Sequence, residues 1–235
     1  MTDTQHAYEP LRLDELDADG ALREAADGVA TTTRGALLRR AGAGGAVLLA
    51  GLGGGAARAR AQMRSGDAAI LNYALVLEYL QSAFYSEAER AGALRGPLAH
   101  QAQVVGAHER AHVDALRGAL GRQALRRPSF DFRGVTEDPG QFRRTAVAFE
   151  DLATAAYKAE LPRIRSDAVL AAAVRIHSVE ARHAAWIRRL AGRVPSPSAF
   201  DDPVAQREVT HIVAGTHFVT SAPKTSGRGN PQFTG

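Results

Sequence analysis

Two Glu-x-x-His pairs are the residues whose types and spacing could do chemistry. The first pair is Glu109 and His112, and the second is Glu180 and His183. Positions i and i+3 are neighbours on one face of an α-helix, so each pair can present a carboxylate and an imidazole to the same cation. The chain has no cysteine, which excludes thiolate sites and leaves only oxygen and nitrogen ligands for a metal ion.

A repeat upstream of each pair supplies one further glutamate. The segments ALVLEYLQSAFY and AVAFEDLATAAY align so that Glu78 matches Glu150 and Tyr85 matches Tyr157. Both glutamates lie in apolar helical stripes, which predicts that their side chains point into the core. Burying an unpaired carboxylate costs several kcal/mol, so four buried glutamates need an offsetting charge. Protonation could supply it, but two divalent cations would balance the four negative charges.

The combined set of four carboxylates and two imidazoles suits iron or manganese better than a structural zinc ion. The sequence therefore predicts a dinuclear centre of two iron or two manganese ions, and six residues are its candidate ligands: Glu78, Glu109, His112, Glu150, Glu180 and His183. A third pair, Glu208 and His211, has no unused glutamate at the matching distance upstream. We interpret that pair as a surface or capping pair.

Four further residues are candidates to hydrogen-bond the ligands: Tyr85, Tyr157, Asp151 and His177. The two tyrosine hydroxyls could donate to ligand carboxylates. Asp151 is expected to face a neighbouring helix, where it could orient a ligand histidine. His177 and His108 each lie near a ligand pair, and an exposed or otherwise hydrogen-bonded role is the alternative for His177.

Four helices must position these residues. Periodicity and end signals predict helices at Asp67–Gly92, Pro97–Gly121, Asp138–Glu160 and Asp167–Gly192. Asp67 and Asp167 are expected to cap the first and fourth. Short loops within each pair of helices predict two antiparallel hairpins. The 17 residues from Gly121 to Glu137 can span the bundle, so we expect an all-α, ferritin-like four-helix bundle with one long crossover. A short fifth helix is predicted between Val204 and Val219.

The chain resembles a known family in four motifs: ILNYALVLEYLQSAFY, HERAH, FEDLATAAY and VEARHAAWIRRLAG. They are similar to the bacterial ferritin-like family related to plant desiccation-related proteins, within the superfamily of carboxylate-bridged di-iron or di-manganese proteins. The resemblance covers about residues 67–219. It implies that the six candidates are the metal ligands, with Glu109 and Glu180 bridging the ions. It indicates the site more closely than the reaction.

The first 61 residues have the features of an export leader. Arg39 and Arg40 precede a weakly apolar run rich in glycine and alanine, which ends in alternate alanines. This order resembles a twin-arginine signal and predicts export to the periplasm, the cell envelope or the medium. An uncleaved anchor and a cytosolic flexible arm are the alternatives. The predicted organisation is a disordered leader and signal at 1–61, the bundle at 66–219 and a flexible tail at 220–235.

The net charge of +4 comes from arginines scattered over amphipathic segments, which argues against a nucleic-acid partner. Three functions fit the predicted site. The first is an oxidoreductase acting on O2, a peroxide or Fe(II), and the second is a non-enzymatic metal-binding or stress-protective bundle. The third is a scaffold tethered to the membrane through its leader. Metal ions and a small oxidant are the expected partners, membrane contact is expected only through the leader, and self-association stays open.

Overall fold

The structure, a computed structural model, describes residues 66–221. In this range it has five α-helices and no β-strand: α1 (Asp67–Ala91), α2 (Gly96–Leu120), α3 (Pro139–Glu160), α4 (Asp167–Leu190) and α5 (Gln206–Gly215). The predicted all-α fold is confirmed. The predicted leader at 1–61, with Arg39 and Arg40, lies outside the described residues, as does the predicted tail from residue 222 onward.

The four long helices pack as two hairpins. α1 packs mainly along α2, and α3 packs mainly along α4. Further contacts between α1 and α3, and between α2 and α4, close the bundle. Between residues 66 and 221, no helix combines the length and the apolar character needed to cross a membrane.

The helix starts differ in part from the predicted caps. Asp138 caps α3 as predicted, since its side chain accepts a backbone N–H at 2.6 Å. α4 is capped by Ser166, and Asp167 is its first helical residue. Asp67 is the first residue of α1 and reaches across the bundle, where its carboxylate accepts the N–H groups of Arg165 at 3.0 Å and Ser166 at 3.1 Å. The two hairpins are therefore joined at this end by a buried carboxylate.

The crossover between α2 and α3 is held down by the segment that follows α5. Phe130 and Val219 form an antiparallel bridge, and the Thr220 N–H donates to the Ser129 carbonyl at 2.9 Å. The tail that the sequence predicts to be flexible thus begins with a residue bonded to the crossover. This pairing satisfies backbone groups that a long loop would otherwise leave to water.

Two apolar clusters fill the bundle, one rich in aromatic side chains and the other mainly aliphatic. On α2, Val105 belongs to the aromatic cluster and Val113 to the aliphatic cluster, and Glu109 lies between them. Glu180 occupies the same kind of boundary on α4. The buried glutamates therefore lie where the two clusters meet, with apolar side chains on either side to exclude water.

Candidate metal centre

The four predicted glutamates are completely buried in the middle of the bundle. Each of the four long helices contributes one of them, and all have 0% exposure: Glu78, Glu109, Glu150 and Glu180. The side chain of His183 is 3% exposed and that of His112 is 12% exposed. One turn separates each histidine from the glutamate of its Glu-x-x-His pair, so the helical spacing brings both side chains to the interior face.

The six side chains form two overlapping groups. Position A is the group of Glu78, Glu109, His112 and Glu180, and position B is the group of Glu109, Glu150, Glu180 and His183. Within each group, one ligand atom from every residue lies within 4.8 Å of the others. Glu109 and Glu180 belong to both groups, so they lie between the two positions. Each position takes three residues from one hairpin and one glutamate from the other.

Each histidine turns its Nδ1 atom toward the shared glutamate of the opposite hairpin. His112 Nδ1 lies 2.9 Å from Glu180 Oε1, and His183 Nδ1 lies 3.0 Å from Glu109 Oε1. These contacts are short, but their geometry is not that of hydrogen bonds. Neither Nδ1 atom therefore has a hydrogen-bond partner. The two Nδ1 atoms face the space shared with the carboxylates.

Eight ligand atoms are buried without a hydrogen-bond partner: Glu78 Oε2, Glu109 Oε1 and Oε2, Glu150 Oε2, Glu180 Oε1 and Oε2, His112 Nδ1 and His183 Nδ1. An unsatisfied buried polar atom costs about 1–3 kcal/mol, and a charged one costs more. A concentration of such atoms in one place is therefore expected only where something else binds them. A donor set of carboxylate oxygens and imidazole nitrogens fits two divalent cations.

Two tyrosines distinguish the outer glutamates from the shared ones. The Tyr85 hydroxyl donates to Glu150 Oε1 at 2.5 Å, and the Tyr157 hydroxyl donates to Glu78 Oε1 at 2.6 Å. Each tyrosine thus orients the outer glutamate of the other hairpin and leaves one oxygen of that glutamate unpartnered. Both oxygens of the shared glutamates lack a partner. This arrangement suits carboxylates that bridge two ions between outer carboxylates that bind one ion each.

Burial and close neighbours shift the pKa values of the charged groups in the centre. Burial raises the pKa of Glu109 well above its usual range, and the neighbouring Glu180 raises it further. Burial also opposes charge on Glu180, but the close approach of His112 and His183 lowers its pKa to about 2. Burial opposes charge on His183 as well, but the surrounding carboxylates raise its pKa to about 12. Histidine protons thus offset part of the negative charge, and a bound cation would displace them.

Asp151 and His177, which the sequence places near the ligands, form no hydrogen bond with them in the described part of the chain. Asp151 faces the neighbouring helix as expected, where Arg188 donates to its two oxygens at 2.7 and 2.6 Å. His177 is half-buried, and its Nδ1 atom has no hydrogen-bond partner. Glu208 and His211 of the third pair are both exposed on α5, in agreement with a surface pair.

Two residues of α2 make contacts in the centre that the sequence did not predict. His108 Nδ1 lies 2.9 Å from His183 Nε2, with the two rings nearly parallel. The fully buried Gln101 donates through Nε2 to the Tyr85 hydroxyl at 3.5 Å. Burial, together with the neighbouring histidines, lowers the pKa of His108. The spacing of His108 four residues before His112, on the same helix face, is the signal that could have indicated this contact.

Comparison with known proteins agrees with this architecture. A family model described as a ferritin-like domain matches residues 66–193, which extend from the start of α1 to just beyond α4 and include all six candidate ligands. No curated protein matches the chain at a significant level. The matched region covers more than half of the chain, and the helices and the glutamates it contains are the ones described above. The chain belongs to the ferritin-like domain family.

Proposed function

We propose that the centre binds two iron or two manganese ions, one at position A and one at position B. The observation that carries this proposal is the convergence of eight buried, unpartnered ligand atoms from four helices. Glu109 and Glu180 would bridge the ions, because both oxygens of each are unpartnered. Glu78 with His112 and Glu150 with His183 would complete the two coordination sets.

We further propose that the protein is an oxidoreductase acting on O2, a peroxide or Fe(II) as a substrate. Two adjacent iron or manganese ions supply accessible oxidation states for electron transfer. The chain's own residues contribute a fixed and dry environment. The tyrosine hydroxyls hold the outer carboxylates in place, and the apolar clusters exclude bulk water, which strengthens every electrostatic interaction inside.

A non-enzymatic role is the second candidate, in which the ions mainly neutralise the glutamates and hold the bundle together. The complete burial of four carboxylates favours it, because their mutual repulsion would destabilise the fold without counter-charge. A stress-protective function, in line with the resemblance to desiccation-related proteins, belongs to this candidate.

Metal analysis of the purified protein tests the centre. We expect about two metal ions per chain, a reduced content in His112→Ala and His183→Ala, and an unchanged content in a Glu208→Ala, His211→Ala control. Wild-type metal content in both single variants would contradict the ligand assignment. Turnover of Fe(II) or peroxide by the loaded protein then separates the two candidates. Full metal content without any turnover would favour the non-enzymatic one.

We also propose that residues 1–61 direct export by a twin-arginine-type route. Arg39 and Arg40 before the weakly apolar run support this, and such a route would let the bundle fold and take up metal inside the cell. Cell fractionation and N-terminal sequencing test the proposal. We expect an exported form that begins near residue 62, and its loss in the variant Arg39→Lys, Arg40→Lys. Full-length protein confined to the cytosol would contradict export.

A further inference from the structure

The two cation positions have the same ligand types but different surroundings. His108 and Gln101, both on α2, extend hydrogen bonding outward from position B. At the corresponding distances before Glu180, α4 carries Val179 and Ala172, which have no polar side-chain atoms. The repeat therefore includes the tyrosines that hold the outer glutamates but does not extend to the positions of His108 and Gln101, and position A receives no equivalent support from α4.

The contact of His108 bears on which nitrogen of His183 carries a proton. The Nδ1 atom of His183 faces the carboxylates, and its Nε2 atom faces His108 Nδ1 at 2.9 Å. A neutral imidazole that binds a cation through Nδ1 must carry its proton on Nε2. That proton can be donated to His108 Nδ1. The opposite direction of donation would require the proton on His183 Nδ1, where it would block binding.

The second contact acts on the outer carboxylate of the same position. The Gln101 side chain donates to the Tyr85 hydroxyl, which in turn donates to Glu150 Oε1. Gln101 is fully buried and its Oε1 atom has no hydrogen-bond partner, so the bond to Tyr85 is the one that its side chain makes in the described residues. Both outer ligands of position B, Glu150 and His183, are thus held by hydrogen bonds that continue into the first hairpin.

We propose that His108 is a positioning residue for His183, and that together with Gln101 it makes position B the more tightly binding of the two cation positions. This inference rests on the proposed metal centre. Partners that orient a ligand and fix its tautomer commonly change metal affinity by about 10–100-fold. Position A, whose His112 has no polar counterpart of His108 on α4, is the position from which a cation exchanges more readily.

Calorimetric titration with Co(II) as the probe ion, followed in parallel by visible absorption, tests this. We expect the wild-type protein to bind in two steps of unequal affinity. His108→Leu should weaken the tighter step by about 10–100-fold and leave the weaker step unchanged. His108→Asn retains an acceptor oxygen near the place of Nδ1 and should restore most of the loss. His100→Leu, a change of another exposed histidine on α2, is the matched control and should bind as the wild type does.

A double-mutant cycle assigns the affected step to position B. In a Glu150→Gln background the tighter step is already weakened, so we expect His108→Leu to add much less than it does alone. Two-ion binding that His108→Leu leaves unchanged would overturn the inference and leave the metal centre intact. An equal loss in the Leu and Asn variants, with wild-type melting temperatures, would also overturn it. If the wild-type protein binds no Co(II), the proposed metal centre itself fails.

Discussion

The two helical hairpins place equivalent ligands but hold them in different ways. Each supplies one outer glutamate and one Glu-x-x-His pair at the same helical spacing. Around these ligands the hairpins diverge. In the first hairpin, His108 contacts His183 of the second, and Gln101 donates to Tyr85, which in turn bonds Glu150. The second hairpin uses Asp151 and Arg188 to join its own two helices. The repeated spacing therefore places the candidate ligands and the two tyrosines that hold the outer glutamates, whereas His108 and Gln101, outside the repeat, add contacts at position B alone.

The largest expected effect is a loss of metal binding when a glutamate shared by positions A and B is changed. A glutamate that belongs to one position only should have a smaller effect. Glu109→Gln and Glu180→Gln should each reduce the binding of both ions, because these residues belong to positions A and B alike. Glu78→Gln and Glu150→Gln should each affect mainly one ion. Metal content per chain, measured on protein of unchanged helical content, checks this. Equal losses in all four variants would show that the two positions do not act as separate sites.

Removal of the metal should destabilise both hairpins together. Each position contains residues from both hairpins, so a bound ion would hold the two hairpins together. A free ion concentration 100 times the dissociation constant would stabilise the fold by about 2.7 kcal/mol. We expect chelation to lower the melting temperature and to increase amide exchange in α1–α2 and α3–α4 alike. Loss of protection in one hairpin alone would show that the ions stabilise that hairpin and do not join the two.

Metal affinity should increase with pH at both positions. Although burial opposes it, neighbouring carboxylates raise the pKa of His112 and of His183, so both rings hold a proton at neutral pH. Cation binding through Nδ1 releases these protons, so affinity should rise about tenfold per pH unit for each proton released. Titrations in buffers of different ionisation enthalpy count the protons. Affinity that is independent of pH would contradict the expected displacement.

The tyrosines should act crosswise between the hairpins. Tyr85→Phe removes a hydrogen bond to Glu150 and should weaken position B, whereas Tyr157→Phe removes one to Glu78 and should weaken position A. The expected loss is about tenfold in affinity for one step of the metal titration in each variant. Each change serves as the control for the other. A loss in the same step for both variants would contradict the crossed arrangement.

The smallest effect is expected at the ion pair within the second hairpin. Asp151→Asn should leave metal content unchanged and lower the free energy of unfolding by less than about 1 kcal/mol, because Asp151 and Arg188 are both partly exposed. Denaturant unfolding and metal analysis of the same preparation check both expectations. A clear loss of metal would mean that this pair supports the centre after all.

Much of the fold could be predicted because local patterns and global architecture agree. The helical periodicity, the Asp138–Pro139 start and the long crossover each indicate the same bundle. The side chains brought together in the centre could be predicted for a related reason. A glutamate in an apolar stripe can be buried only beside a compensating charge. The repeated Glu78 and Glu150 therefore indicate that the charged groups that accompany them are also repeated, as the two Glu-x-x-His pairs are.

Other features depend on contacts between distant segments, which spacing does not encode. Asp67 has the pattern of a cap for its own helix, yet its carboxylate bonds the backbone ahead of α4. His108 is close in sequence to one ligand pair but contacts the histidine of the other. The bridge from Phe130 to Val219 likewise joins two loops that carry no complementary motif. Such pairings follow from the packed geometry of the whole bundle.

Each position includes one glutamate from the other hairpin, and this has a consequence for the order of assembly. A hairpin that forms early, from contacts near in sequence, presents three of the four groups of its position, and the fourth arrives only when the other hairpin docks. Docking of the two hairpins would therefore precede the capture of either proposed ion by a full set of groups. In a refolding experiment, the rate of complete metal uptake should equal the rate of docking and stay independent of metal concentration once the ion is in excess.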